Sequence, residues 1–231
     1  MLNQLISDLQ TRSNSKKAEI YQRFFKTGKD QYGEGDVFIG LTVPEQREIA
    51  KKYLLLSLKN VQKLLNSKIH EHRLTSLLIL VYQYKKSDEK KKKKIFNFYL
   101  KNTKRINNWD LVDLTAHSIV GNFLLDKDRK ILYKLAVSKN LWERRISMIA
   151  TYELIRNNRF EDTLKISELL LNDDHDLIHK AVGWMLREIG KRNQKAEEAF
   201  LKKYHKTMPR TMLRYAIERF DEKKRKFYMK R

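Results

Sequence analysis

The chain contains no cysteine. That absence excludes a disulfide framework, a thiolate nucleophile and a zinc ribbon, and it fits a reducing cytoplasm. Glycine and proline are also scarce, at seven and two among 231 residues. These residues supply tight turns, bulges and positive-φ positions, so their scarcity argues against a strand-and-turn architecture and for an all-α chain. No apolar run approaches the ~18 residues that span a bilayer. The opening MLNQLISDLQ reads as an amphipathic helix carrying Asp8, so a soluble protein that is not exported is expected, with no membrane partner. Phosphate loop, dinucleotide fingerprint, nucleophile elbow and zinc-finger spacing are absent as well. Neither ATP nor NAD is expected, nor any other cofactor.

Negative charge is in short supply. Lys and Arg number 50 against 28 Asp and Glu, a formal net charge of +22. This exceeds what solubility needs and sets up a field that attracts an acidic partner.

The Gly-rich stretch GKDQYGEGDVFIG (28–40) interrupts helical patterning and leads into Thr42-Val-Pro44-Glu45, a capping box with an early proline. A helix is therefore predicted from Val43 to about Tyr53. No proline occurs between Pro44 and Pro209, and the breaks are polar clusters such as NSKIHEH, KKSDEKKKKK, LLDKDRK, NNRFED and LNDDHD. The lysine run from Lys90 to Lys94 reads as a solvated, mobile turn.

Arg73, Trp109 and Arg145 recur at intervals of 36 residues, and Lys180 follows after 35. Each opens an apolar helix (RLTSLLILVYQY, WDLVDLTAHSIVGNFLL, RISMIATYELI, KAVGWMLREIG), and shorter helices such as VQKLLNS, ILYKLAVS and ISELLLN precede them. A helix pair of this length cannot bury its apolar face alone, so neighbouring pairs are expected to stack into an α-α superhelix of HEAT-like repeats with one concave surface. Residues 1–231 would form a single domain.

Ile178, Val182, Met185 and Ile189 define a core stripe, as do Val112, Ala116, Ile119 and Phe123. Lys180, Trp184, Arg187 and Lys191 repeat the same spacing on another face. A flat indole among cations suits a sugar-phosphate backbone better than a core. Trp109 and Asp113 lie one turn apart on a helix face. Asp110 is expected to complement the helix N-terminus, whereas Asp113 sits too far along the helix for that role. Arg144 and Arg145 together at a helix start are expected to meet an anion, and Trp142 falls nearer the core. His175 and His179 have the spacing of a helical metal pair but lack the intervening Glu and a third ligand, so no metal is expected.

Through NNWDLVD (107–113), LWERRISM (141–148) and KAVGWMLREIGK (180–191), the chain resembles the AlkD-like alkylpurine DNA glycosylases. The resemblance extends from KKAEIYQRFF and GLTVPEQREIAKKY to RTMLRYAIERF. It implies a curved stack of helical pairs with a concave basic DNA-binding face. The implied activity is excision of cationic N3- and N7-alkylated purines, of the 3-methyladenine and 7-methylguanine type, from duplex DNA in base excision repair. It further implies Asp113 as the catalytic carboxylate, Trp109 and Trp184 on the sugar-phosphate backbone around the lesion, and Arg145 on the nearby phosphate. Arg187 and Lys180 would be further backbone contacts, and Phe24 falls where relatives carry a tyrosine. A monomer in the cytoplasm, associated with the nucleoid, would follow. The other readings are a non-catalytic HEAT-like protein that binds damaged or branched DNA, and a scaffold for RNA or an acidic protein.

Overall fold

The computed structural model of the chain describes residues 1–230. The described residues form helices joined by loops, with no named strand among them, and fall into two compact units, residues 1–115 and residues 116 onward. No described helix is long and apolar enough to cross a membrane.

The first unit holds α1 (Leu2–Thr11), α2 (Ser15–Phe24), α3 (Val43–Lys52), α4 (Leu58–Leu65), α5 (His70–Lys85), α6 (Glu89–Lys101) and α7 (Trp109–Asp113). Its centre is α5, which packs on α3, α4, α6 and α7. Leu74, Leu77, Leu78, Ile79 and Leu80 are essentially inaccessible, each contributing about 1.5–3 kcal/mol by burial. The expected capping box starts α3, with Thr42 and Glu45 bonded reciprocally. Side-chain caps from Ser57, Asp88 and Asn108 start α4, α6 and α7.

The Gly-rich stretch is a docked loop. Glu71 on α5 accepts hydrogen bonds from the backbone amides of Ile39, Gly40 and Leu41, at 3.1, 2.8 and 3.3 Å. Gly40 has φ +86°, and a Cβ there would lie 2.1 Å from the Asn14 carbonyl oxygen. Only glycine allows the loop to come this close to the start of α2.

The second unit holds a π-helical turn (His117–Gly121), α8 (Lys130–Ala136), α9 (Leu141–Arg156), α10 (Glu161–Leu169), α11 (Asp176–Gly190), α12 (Gln194–Tyr204), α13 (Arg210–Ala216) and α14 (Glu222–Met229). Here α9 packs on α8, α10, α11 and the π turn, and α11 packs on α12 and α13. The sequence-derived stripes are buried: Ile178, Val182, Met185 and Ile189 are inaccessible, and Trp142 is 7% exposed beside Ile146 and Ile149.

Two expectations are corrected. Lys90 to Lys94 are not a turn; they occupy the first turns of α6, capped by Asp88, whose Oδ1 accepts from the Lys91 amide at 2.8 Å. The stretch from Trp109 is not one helix either, because α7 ends at Asp113 and the chain resumes through the π turn. At Gly121, which ends that turn, a Cβ would lie 2.2 Å from the Ala150 carbonyl oxygen on α9. Such π turns break helical register and recur at functional sites.

Candidate nucleic-acid interface

The four recurring positions fall where the repeat placed them, in the first or second turn of α5, α7, α9 and α11. In the first unit, Trp109 and Asp113 are the two ends of the five-residue helix α7, both half-buried and facing the same way. So short a helix has little stability of its own, and side-chain contacts hold it in place.

Asn108 caps α7 through the Trp109 amide at 2.8 Å and donates from Nδ2 to Asp36 Oδ2 at 3.2 Å. Asp110 accepts from the Leu111 amide at 2.8 Å, the N-terminal role expected of it. Its other oxygen lies 2.8 Å from Nε2 of His70. Nδ1 of His70 lies 3.2 Å from Asp36 Oδ2, and Arg73 Nη2 reaches Asp36 Oδ1 at 2.7 Å. Asp36, His70, Arg73, Asn108 and Asp110 are all at most 5% exposed. Burial alone opposes an imidazolium, but the charge of Asp110 and the hydrogen bonds that the ring donates to Asp110 and Asp36 outweigh it and hold the His70 pKa up at about 9. Burial also pushes the Asp36 carboxyl upward, but His70 and Arg73 reverse this and leave it below the usual range. The result is a buried, charged anchor joining the Gly-rich loop, α5 and α7.

Aromatic rings extend the anchor to Trp109. Phe25 stacks on the indole at 5.1 Å and 10°, and on Phe38 at 4.8 Å. Phe38 stacks on the His70 ring at 4.5 Å. Phe24 meets Trp109 edge-on at 5.9 Å and is 61% exposed, so the residue singled out from the sequence lies at the surface beside the indole. A cavity of about 150 Å³ opens among Tyr21, Phe24, Phe25, Phe38, His70 and Asp110. Below α7, burial raises the Tyr99 phenol, and the charge of Asp113 adds to that rise.

In the second unit, Trp184 is half-buried and its Nε1 donates to Glu188 Oε1 at 3.0 Å. Lys191 Nζ reaches the same oxygen at 2.6 Å, and Tyr152 tilts against the indole at 6.2 Å. Lys180 pairs with Asp176 at 2.7 Å. Arg187 pairs with Glu218, and its buried Nε has no hydrogen-bond partner among the described residues. Arg144 is occupied by Asp173 at 2.6 Å. Arg145 is 5% exposed and donates to the Leu177 carbonyl. Nδ1 of His175 accepts from the Leu177 amide, starting α11, and His179 is bonded to the Asp173 carbonyl.

Sequence reasoning singled out Arg73 as a recurring position but not its ion pair with Asp36, and it missed His70, Asp36 and Asn108, together with Phe25, Tyr152 and Glu188. The signal closest to hand was DLVD itself, where two acids one turn apart left the first in search of a cation.

The described residues thus form an all-α fold of paired helices, with an indole and a carboxylate on one anchored turn. Its likeness to solved structures agrees. A predicted DNA alkylation repair enzyme from Enterococcus faecalis superposes with a TM-score of 0.71 at 16% identity, over 91% of this chain and 97% of that one. AlkD2 from Streptococcus mutans gives 0.57 at 19% identity, over 89% and 98%. The protein smu.31 from Streptococcus mutans UA159 gives 0.56 at 21% identity, over 78% and 93%. No curated protein sequence matches the chain. The model of the DNA alkylation repair enzyme family matches residues 5–220. The chain belongs to that family, and its role lies in the repair of alkylated DNA.

Proposed function

We propose that this protein is a monofunctional DNA glycosylase that hydrolyses the N-glycosidic bond of cationic N3- or N7-alkylated purines in duplex DNA. The observation that carries the reading is the pairing of Trp109 and Asp113 on one short helix whose start is locked by a buried ion cluster. A protein that only binds DNA has no use for a carboxylate turned towards phosphate.

The alkylated base already carries positive charge and leaves readily, so no general acid is needed. As the bond from C1′ to the base nitrogen lengthens, its electron pair neutralises the base and positive charge develops on the sugar. The carboxylate of Asp113 stabilises that charge, orients a water molecule at C1′ and accepts its proton. The base departs and an abasic sugar remains. The indole of Trp109 excludes water from one side and offers its electron-rich face to the sugar. Phe24 borders it.

On the second unit, Trp184, Lys180 and Arg187 are assigned to the DNA backbone. Arg145 is the deepest of the assigned cations, so it suits only a phosphate seated directly on the first turn of α9. The protein acts as a monomer in the cytoplasm, associated with the nucleoid, and its chemistry calls for no metal or nucleotide cofactor. The test is release of free alkylated base from methylated duplex DNA. If the purified protein binds such DNA but releases no base, the glycosylase reading fails and a damage-binding role replaces it.

A further inference from the structure

At the far end of α5 from His70 lies a groove that the DNA chemistry does not use. It has a volume of about 520 Å³. Its floor is apolar, with Leu56 and Ile95 almost inaccessible. One wall is the turn carrying Leu55, which is 85% exposed. That turn is fixed, because Gln83 Nε2 donates to the carbonyls of both Leu54 and Leu56 at 2.8 Å. The leucine is thus held outward by a pinned backbone. The opposite rim carries Lys90, Lys91 and Lys94 of α6.

The lysines are in the wrong place for stability. Five consecutive cations, Lys90 to Lys94, crowd the first turns of α6. Positive charge opposes the helix dipole there, and like charges at i and i+4 repel. Lys92 pairs with Glu89 at 3.1 Å, whereas the side chains of Lys90, Lys91 and Lys94 make no ion pair among the described residues. The Asp88 carboxylate on the same rim is committed to capping the helix. Where a sequence breaks a local rule without structural gain, function is the expected reason. Duplex DNA on the candidate interface does not supply that reason. Gln83 lies thirteen residues along α5 from His70, a rise of about 20 Å. A phosphate backbone would also gain nothing from Leu55 or from the Ile95 floor.

We propose that this groove docks an acidic, apolar peptide segment of a partner protein. Carboxylates of the segment meet Lys90, Lys91 and Lys94, and its leucine- or phenylalanine-type side chains cover Leu55 and fill the groove above Leu56 and Ile95. Steering by the lysines sets the encounter, and the apolar contacts set the residence.

The assignment is independent of the glycosylase reading. The probe is a short fluorescent peptide of alternating aspartate and leucine, followed by anisotropy with the full chain. The expected result is salt-sensitive binding that weakens at least ~10-fold with Leu55→Asp, and likewise with the double substitution Lys90→Glu and Lys94→Glu. A matched peptide with Asn for Asp binds no better than the variants do. Both variants retain wild-type affinity for duplex DNA, which also verifies their folding. The proposal is overturned if the wild type ignores the peptide, if the variants bind it equally well, or if duplex DNA displaces it in proportion to DNA bound.

Discussion

Nε2 of His70 lies 2.8 Å from Oδ2 of Asp110, the residue next to Trp109. The position of the candidate catalytic turn therefore depends on a buried proton. The anchor stands on three charged partners, with Asp36 and Asp110 opposite the imidazole and Arg73 beside it. Removing one member of such a cluster strands the others in a medium that solvates them poorly.

Replacing His70 by alanine is expected to destabilise the protein by about 3–5 kcal/mol near pH 6, read by urea unfolding. The pH dependence has a definite sign. The folded-state pKa of about 9 lies above the ordinary 6.5, so the native state holds this proton more tightly than the unfolded chain does. The stabilisation is complete below about pH 6.5 and is lost as pH rises through about 9. Thermal midpoints of the wild type should fall across that window, and those of His70→Gln should fall less. Parallel curves would assign the dependence elsewhere.

Glu197 supplies a second, separable dependence. It is 1% exposed, and its Oε1 has no hydrogen-bond partner among the described residues. Burial first, then the charge of Glu198, raise its pKa to about 8 against the opposing pull of Arg187. The native state keeps this carboxyl protonated where the unfolded chain has already released the proton. Stability therefore declines as pH rises from about 4.5 through about 8. Glu197→Gln should flatten this part of the profile and raise the midpoint above pH 8, by differential scanning calorimetry. A destabilised variant at pH 9 would refute the assignment.

Two tryptophans of the second unit should behave oppositely. Trp142, 7% exposed, is a core residue whose replacement by alanine should cost about 3–5 kcal/mol of stability. Trp184 is half-buried and oriented by Glu188. Trp184→Ala should leave stability within about 1 kcal/mol but weaken duplex binding by about 10-fold, as measured by anisotropy. Unchanged DNA affinity would remove Trp184 from the interface.

Much of this architecture was legible because it is local. Ile178, Val182, Met185 and Ile189 announce a buried stripe through spacing alone, and Thr42 with Glu45 announces a helix start. The interval from Arg73 to Lys180 was legible because each of these residues falls near the start of its own helix. The anchor was not legible, because His70 is separated from Asp36 by 34 residues and from Asp110 by 40. Tertiary packing joins these residues, and no periodicity encodes it. Phe24 and Phe25 show the same limit. They are adjacent in sequence, yet one is exposed beside Trp109 and the other is buried against its face. The end of α7 at Asp113 and the π turn that follows were hidden because no proline or glycine marks the break between them.

Asp113 is assigned to chemistry and not to binding. The most direct measurement compares wild type with Asp113→Asn for release of 7-methylguanine and 3-methyladenine from methylated duplex DNA, alongside affinity for the same duplex. Release by the wild type is expected, with a fall of at least ~10-fold in the variant and an affinity no weaker than that of the wild type. Undiminished release by Asp113→Asn would contradict that assignment.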